Sequence, residues 1–338
     1  MLLLVITLVG DVPTTHNAPA CSLDAKVKAA HPESFVVSDL VDGGNNKRCI
    51  AVVVPSLAAA SPNSKPAILF DFHGAGKNAS KYGAHNDTLG SSWADLASKY
   101  GFVVVAGEAL QWNESFRLED GAAARAWPWP TGWHGGQWLI PEVQTDDTGI
   151  VCDWQSDSPE HGAWELTYIA AALDELGSRG FDTTRVFFTG CSMGSALTGW
   201  LAQCYHRKLP GSITAFNTQS TGLKVQGDGL VLPPDNYDTH YSWGECPGCQ
   251  YFPAPVTVAS GLKACVVDQT GDGDFFNSSL ALSAAWQAAG MRSELSITAG
   301  GHCDTRSYEW IATCLDDGTG RLLGAINETR MNRSDEQR

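Results

Sequence analysis

Basic residues are scarce in this chain: 22 Lys and Arg stand against 37 Asp and Glu, a formal net charge of −15 over 338 residues. Nothing in that balance could replace the counterions of a phosphate backbone, so a nucleic-acid partner is set aside. An acidic surface otherwise serves solubility and says nothing about fold. Long hydrophobic runs are missing as well. The first apolar run, Leu2–Val9, is far shorter than the roughly 20 residues needed to span a bilayer, and no later run approaches that length. No membrane partner is expected. Internal repeats and low-complexity tracts are also lacking, which excludes solenoid and array architectures.

What is present points elsewhere. Apolar residues make up 43% of the chain, enough for the core of a large α/β domain. There are ten cysteines, an even and generous count. Six Asn-x-Ser/Thr sequons occur, at Asn78, Asn86, Asn113, Asn277, Asn327 and Asn332. Together these features suggest a glycosylated, secreted protein. Residues 1–20 then read as a signal peptide, with Ala18-Pro19-Ala20 as its cleavage site. A basic n-region is missing, so a frayed terminus is the competing reading. Residues 21–324 are expected to form a single catalytic domain, and the polar segment 325–338 a disordered tail.

Short β-branched runs alternate with segments of helical period, the pattern of a mostly parallel sheet covered by helices. Strands are predicted near Cys49–Val54, Ala67–Phe72, Phe102–Ala106, Arg185–Thr189, Ser212–Phe216, Ala264–Val267 and Glu294–Thr298. Helices are predicted over Ser92–Lys99, Ala163–Leu176, Ser195–Cys204, Ser279–Ala288 and Ser307–Thr313. Two stretches break the rhythm. Residues 111–160 carry six of the twelve tryptophans, and residues 222–256 include the pair Cys246 and Cys249. Both are too long for ordinary connections. Trp127, Trp129, Trp133 and Trp138 could wall a binding cleft, or simply glue a long loop to the sheet.

Gly190-Cys191-Ser192-Met193-Gly194 follows one predicted strand and precedes a helix. A Gly-x-Ser-x-Gly frame in that setting is a nucleophile elbow, where a sharp turn exposes the serine. The serine needs a base. His302 lies in the glycine loop Ala299-Gly300-Gly301 after the last predicted strand, where this chain order presents its imidazole. An acid must orient that ring, and the segment after Ala264–Val267 offers Asp268, Asp272 and Asp274. Asp272 is favoured by its reach into the loop, with Asp274 as the alternative. A calcium loop fails there, because Thr270 and Ser279 stand where ligands should be. Oxyanion donors are expected from the backbone N–H groups of Met193 and Ala75, the latter in the His73-Gly74-Ala75-Gly76 loop. His73 reads as a structural hydrogen-bonder rather than a second base. No cofactor and no metal are called for, and Cys246-x-x-Cys249 lacks the second pair that a zinc site requires.

These residues resemble the CS-D-HC motif of fungal feruloyl esterases and tannases: Cys191-Ser192, Asp272 and His302-Cys303. The framework His73-Gly74, Asp146–Ile150, Arg185–Gly194 and Gly300–His302 is similar to the secreted polyhydroxybutyrate depolymerase and feruloyl esterase superfamily of α/β-hydrolases. The resemblance covers roughly residues 48–315. It implies an α/β-hydrolase fold, a serine esterase acting on plant-wall feruloyl or acetyl esters or on a polyhydroxyalkanoate polyester, and a disulfide Cys191–Cys303 clamping nucleophile to base. Cysteines flanking catalytic groups about 3 Å apart would indeed lie within bridging range. Two departures stand out. The large tannase lid has no room here, and Asp268-Gln269 replaces the His-Gly usual in the depolymerases. Two other functions remain open on sequence: an inactive polymer-binding protein on the same fold, and a serine peptidase.

Overall fold

The computed structural model describes residues 21–43, 45–55, 65–74, 92–109, 124–125, 140–141, 144–146, 149–151, 163–202, 212–220, 224–226, 229–232, 250–253, 262–272, 274–288, 290–304, 307–316 and 322. The expected leader 1–20 and tail 325–338 therefore lie outside the described residues.

Eight strands form the main sheet: β1 (Phe35–Val41), β2 (Lys47–Val53), β3 (Ile68–Phe72), β4 (Val103–Gly107), β5 (Arg185–Gly190), β6 (Ser212–Gln219), β7 (Lys263–Gln269) and β8 (Arg292–Thr298). Their spatial order is β1-β2-β4-β3-β5-β6-β7-β8. The pairs β1/β2 and β2/β4 are antiparallel, and every pair from β4 to β8 is parallel. Helices α1 (Ala25–Ala30), α2 (Trp93–Tyr100), α3 (Ala163–Ser178), α4 (Met193–Trp200), α5 (Asp274–Ala288) and α6 (Tyr308–Asp316) cover it.

Strand period 2 sorts the core into two layers. Ile68, Phe70, Phe72, Val186, Phe188 and Val266 face one side, packed with Tyr168 and Leu173 of α3, Leu197 of α4 and Trp286 of α5. Their neighbours Leu69, Val104, Phe187 and Val267 face the other side, against Val27, Trp93, Leu96, Ile311 and Leu315 of α1, α2 and α6. Buried on both faces, the central strands read as continuous apolar runs. Helix α2 is delimited by its own sequence. Ser92 Oγ accepts from Asp95 N–H at 3.2 Å, Asp95 Oδ2 accepts from Ser92 N–H at 3.1 Å, and Gly101 closes the helix in the left-handed region at φ 83°.

Several elements depart from the expectation. β1 and α1 were not predicted, β6 continues to Gln219, α4 starts at Met193 rather than Ser195, and α5 starts at Asp274 rather than Ser279. Short strand pairs occur within both irregular stretches, Ala124–Arg125 with Ile140–Pro141 and Gln144–Asp146 with Gly149–Val151 in the first. In the second, Lys224–Gln226, Gly229–Leu232 and Gln250–Pro253 form a three-stranded sheet.

Chain order reverses at β3, which has β4 on one side and β5 on the other. In an open parallel sheet the crevice beyond the carboxyl ends of such strands is where ligands bind. Phe72 ends β3 and is in register with Gly190, which ends β5. The loops after these two strands therefore open side by side.

Candidate active site

The turn after β5 brings Ser192 to the mouth of that crevice. Ser192 has φ 56° and ψ −115°, a backbone state costly for a residue with a Cβ. Its N–H donates to Gln219 O at 2.9 Å, and Cys191 N–H donates to Phe72 O at 3.2 Å. The turn is fixed by its neighbours on both sides. The two glycines of the motif are required by close approach. A Cβ on Gly190 would lie 2.4 Å from Gly194 O, and one on Gly194 would lie 1.9 Å from Phe72 O. Beyond the turn, Gly194 and Ser195 N–H groups donate to Cys191 and Ser192 carbonyls. Met193 is the first residue of α4, so its N–H is one of the donors a helix cannot satisfy internally. It points to the helix N-terminal pole, where negative charge is favoured.

The acid and base come from the next loops along the sheet. After β7, Asp272 N–H closes a turn onto Gln269 O at 3.0 Å, while Thr270 and Gly271 donate to Thr298 and Gly300 carbonyls in the loop after β8. Those bonds tie the two loops together. His302 Nδ1 then lies 2.7 Å from Asp272 Oδ1. The Asp272 side chain is 3% exposed and that of His302 40%, so the pair is sheltered behind and open in front. Phe275, on α5, packs its ring 4.4 Å from the imidazole. Burial would raise the Asp272 carboxyl, yet the hydrogen bond from His302, with Ser220 and Asp268 close by, prevails and holds it below the ordinary carboxylate range. Asp268 behaves oppositely: burial, with the hydrogen bond and charge of Asp272, pushes it up to about 7 against the donors Ser279 and Gln269 N–H.

Cys191 and Cys303 are disulfide-bonded, with Cα atoms 5.7 Å apart across a sequence separation of 112. Their sulfurs and a His302 ring nitrogen all lie within 4.8 Å of one another. The bridge thus joins the serine turn directly to the histidine loop. Two further bonds hold that loop against β6. Cys303 N–H donates to Ser220 Oγ at 3.0 Å, and Gln219 Nε2 donates to Asp304 O at 2.7 Å. Among the described residues no hydrogen bond links Ser192 Oγ to His302; such contacts commonly tighten only when substrate is bound.

On the far side of the crevice, His73 Nδ1 donates to Gly74 O at 2.8 Å and its Nε2 accepts from Ala109 N–H at 3.3 Å. Both ring nitrogens are thereby engaged in holding the β3 loop. Gly74 comes so near the elbow that a Cβ there would sit 3.3 Å from Ser192 Cβ. Ala75, Trp127, Trp129, Trp133 and Trp138 lie outside the described residues, as do Asn78, Asn86, Asn113, Asn327, Asn332, Cys246 and Cys249. Asn277 and Asp274 are on α5, but their side chains are not described. The structure therefore brings together Ser192, Met193, Asp272, His302, Cys191 and Cys303. Gln219, Ser220, Asp268 and Phe275 were missed as site residues. Only Asp268 had a visible signal, as one of three carboxylates after a predicted strand.

Neither a family model nor a curated relative matches the chain. Solved structures do. A fluorophosphonate-binding serine hydrolase F of Staphylococcus aureus, with substrate bound, is similar with a TM-score of 0.50 at 12% identity, covering 86% of this chain and 98% of that one. A ferulic acid esterase matches with a TM-score of 0.49 at 15% identity over 82% of this chain and 96% of its own. An S-formylglutathione hydrolase from Agrobacterium tumefaciens matches with a TM-score of 0.48 at 16% identity, over 86% and 94%. Together with the strand order, the likeness to the first establishes the fold: the chain has the α/β-hydrolase fold.

Proposed function

We propose that this protein is a secreted serine esterase that cleaves carboxylic esters through an acyl-enzyme. The observation that carries this reading is the half-buried Asp272–His302 hydrogen bond of 2.7 Å, bridged through Cys303–Cys191 to a serine in a strained strand-to-helix turn. A group oriented in this way can serve as a base for the adjacent hydroxyl. Ser192 Oγ attacks the ester carbonyl carbon while His302 Nε2 takes its proton. The resulting oxyanion accepts from the Met193 N–H, with Ala75 proposed as the second donor. Collapse expels the alcohol, which receives the proton from His302. Water then repeats the sequence on the acyl-enzyme, releasing the acid and freeing Ser192. Asp272 stays ionised throughout, in keeping with its depressed pKa.

The CS-D-HC resemblance favours a phenolic or acetyl ester of plant-wall polysaccharide, with a polyhydroxyalkanoate polyester as the other candidate. Three described disulfides and six sequons support an extracellular setting. Among the described residues no helix is long and apolar enough to cross a membrane.

The test is hydrolysis of p-nitrophenyl acetate and butyrate, with a fluorophosphonate as active-site label. Ser192→Ala is expected to lower kcat by about 10³-fold or more and to abolish labelling. Equal turnover by both proteins, or none by either, would remove the esterase reading. Methyl ferulate, acetylated xylan and a polyhydroxybutyrate suspension then separate the substrate classes.

A further inference from the structure

Behind the Asp272–His302 pair lies a second carboxyl that the proposed chemistry does not use. Asp268 lies one residue before the end of β7 and is fully buried. The turn Gln269–Asp272 folds the chain back so that the carboxyl of Asp268 faces that of Asp272. Both are shielded from water, and two adjacent buried carboxyls cannot both ionise. One proton must therefore be shared between them.

The surroundings decide where it sits. Asp272 Oδ1 accepts from His302 Nδ1–H, so its carboxylate faces the one group in contact with it among the described residues that can become a cation. Asp272 Oδ2 is buried and has no hydrogen-bond partner of its own among the described residues, the Ser220 hydroxyl being given to Gln269 Oε1 at 3.0 Å. Asp268 faces no cation among the described residues. Its oxygens meet Gln269 N–H at 2.7 Å and Ser279 Oγ from α5. From β6 the pair is faced by Ser220, from the β8 loop by His302, and from α5 by Ser279, so among the described residues the titratable groups in contact are Asp268, Asp272 and His302.

We infer that Asp268 is a positioning residue of this site: its carboxyl keeps the shared proton and donates it to Asp272 Oδ2, fixing the plane of the carboxylate that orients His302. Asp272 is thus gripped at both oxygens, by imidazole in front and by a carboxylic acid behind. The acid also draws off part of the Asp272 charge and tempers its hold on the imidazolium. This role deepens the esterase reading, and rests on it only for its kinetic consequence.

The first measurement needs no activity. The infrared difference spectrum of wild type minus Asp268→Asn at neutral pH is expected to contain the C=O stretch of a protonated carboxylic acid. No such band would overturn the proposal, whether or not any ester is cleaved. The second follows the His302 ring signal by NMR across pH in wild type, Asp268→Ala and Asp268→Asn. Loss of the donor in Asp268→Ala leaves Asp272 with its full charge, so the midpoint should move up by about half to one unit. Asp268→Asn, whose amide can donate in place of the acid, should bring it back. If ester turnover is present, kcat/KM should fall about tenfold in Asp268→Ala, with its acid limb displaced the same way, and recover in Asp268→Asn. An unmoved midpoint in the alanine variant, or no rescue by asparagine, would show that Asp268 only fills space. Should Asp268→Ala fail to fold, the infrared band and the asparagine midpoint still decide.

Discussion

Gly194 illustrates how little freedom individual residues have around the serine turn. Its Cα packs so tightly on the end of β3 that a methyl group would overlap Phe72 O, at 1.9 Å. Backbone carbonyls at a register point cannot withdraw as a flexible side chain can. Gly194→Ala should cost on the order of 4 kcal/mol or prevent folding altogether. Thermal unfolding, or the yield of soluble protein, reads this directly, and a variant as stable as wild type would contradict the close approach. The serine and its glycines were legible because strain demands particular residue types in a fixed spacing. Ser220 and Gln219 were not, since their roles depend on partners more than 80 residues away, Cys303 and Asp304. Asp268 was visible as a carboxylate, but its companionship with Asp272 arises from a turn and from burial that spacing alone does not reveal.

Elements are joined here by buried polar contacts as well as by apolar packing. Arg48 on β2 is fully buried, forms an ion pair with Glu165 of α3 at 2.7 Å, donates to Glu108 O at 2.9 Å and stacks 3.8 Å over the Tyr168 ring. Tyr168 in turn donates to Cys49 O and accepts from Glu108 N–H, next to the Ala109 N–H that holds His73. Burial pushes the Tyr168 hydroxyl well above its ordinary value, so it acts as a neutral donor. Glu165→Gln removes the countercharge from a buried guanidinium, and about 3 kcal/mol of stability should go with it, measurable by denaturant unfolding. An unchanged midpoint would mean that Asp42, 3.8 Å from Arg48, suffices.

The same scale explains which elements could be read. β3, β5 and β7 are largely apolar or β-branched runs, and β8 alternates Leu295 and Ile297 with polar residues. β6 was cut short at Phe216 because Asn217, Thr218 and Gln219 look like loop residues, although all three are buried. Asn217 satisfies itself with Thr189 and Cys265 O, one strand away on each side. In β1 the alternation fails where Asp39, at φ 63°, inserts a bulge between Val37 and Leu40. The six residues of α1 are too few for a helical period to register.

Across the whole molecule, covalent links pin distant parts of the sheet. Cys21–Cys49 ties the segment before α1 to β2, Cys265–Cys314 ties β7 to α6, and Cys191–Cys303 ties the turn after β5 to the loop after β8. The last is the one beside the chemistry, and the sheet itself does not depend on it for its packing. A thiol or phosphine reductant should therefore abolish ester turnover at concentrations that leave the far-ultraviolet circular dichroism unchanged. Full activity with Cys191 and Cys303 shown by mass spectrometry to be reduced would contradict that.

The bridges also interleave. Cys265 lies inside the loop closed by Cys191–Cys303, and its partner Cys314 lies outside it. During synthesis, Cys191 and Cys265 emerge long before either correct partner, and Cys303 and Cys314 arrive almost together near the end of 338 residues. Among the described cysteines, a growing chain thus carries two unpaired thiols that can join each other, and that union would lock both late cysteines out. Maturation of this protein is for that reason a problem of timing, solved only when the last turn of the fold is available to choose between two waiting sulfurs.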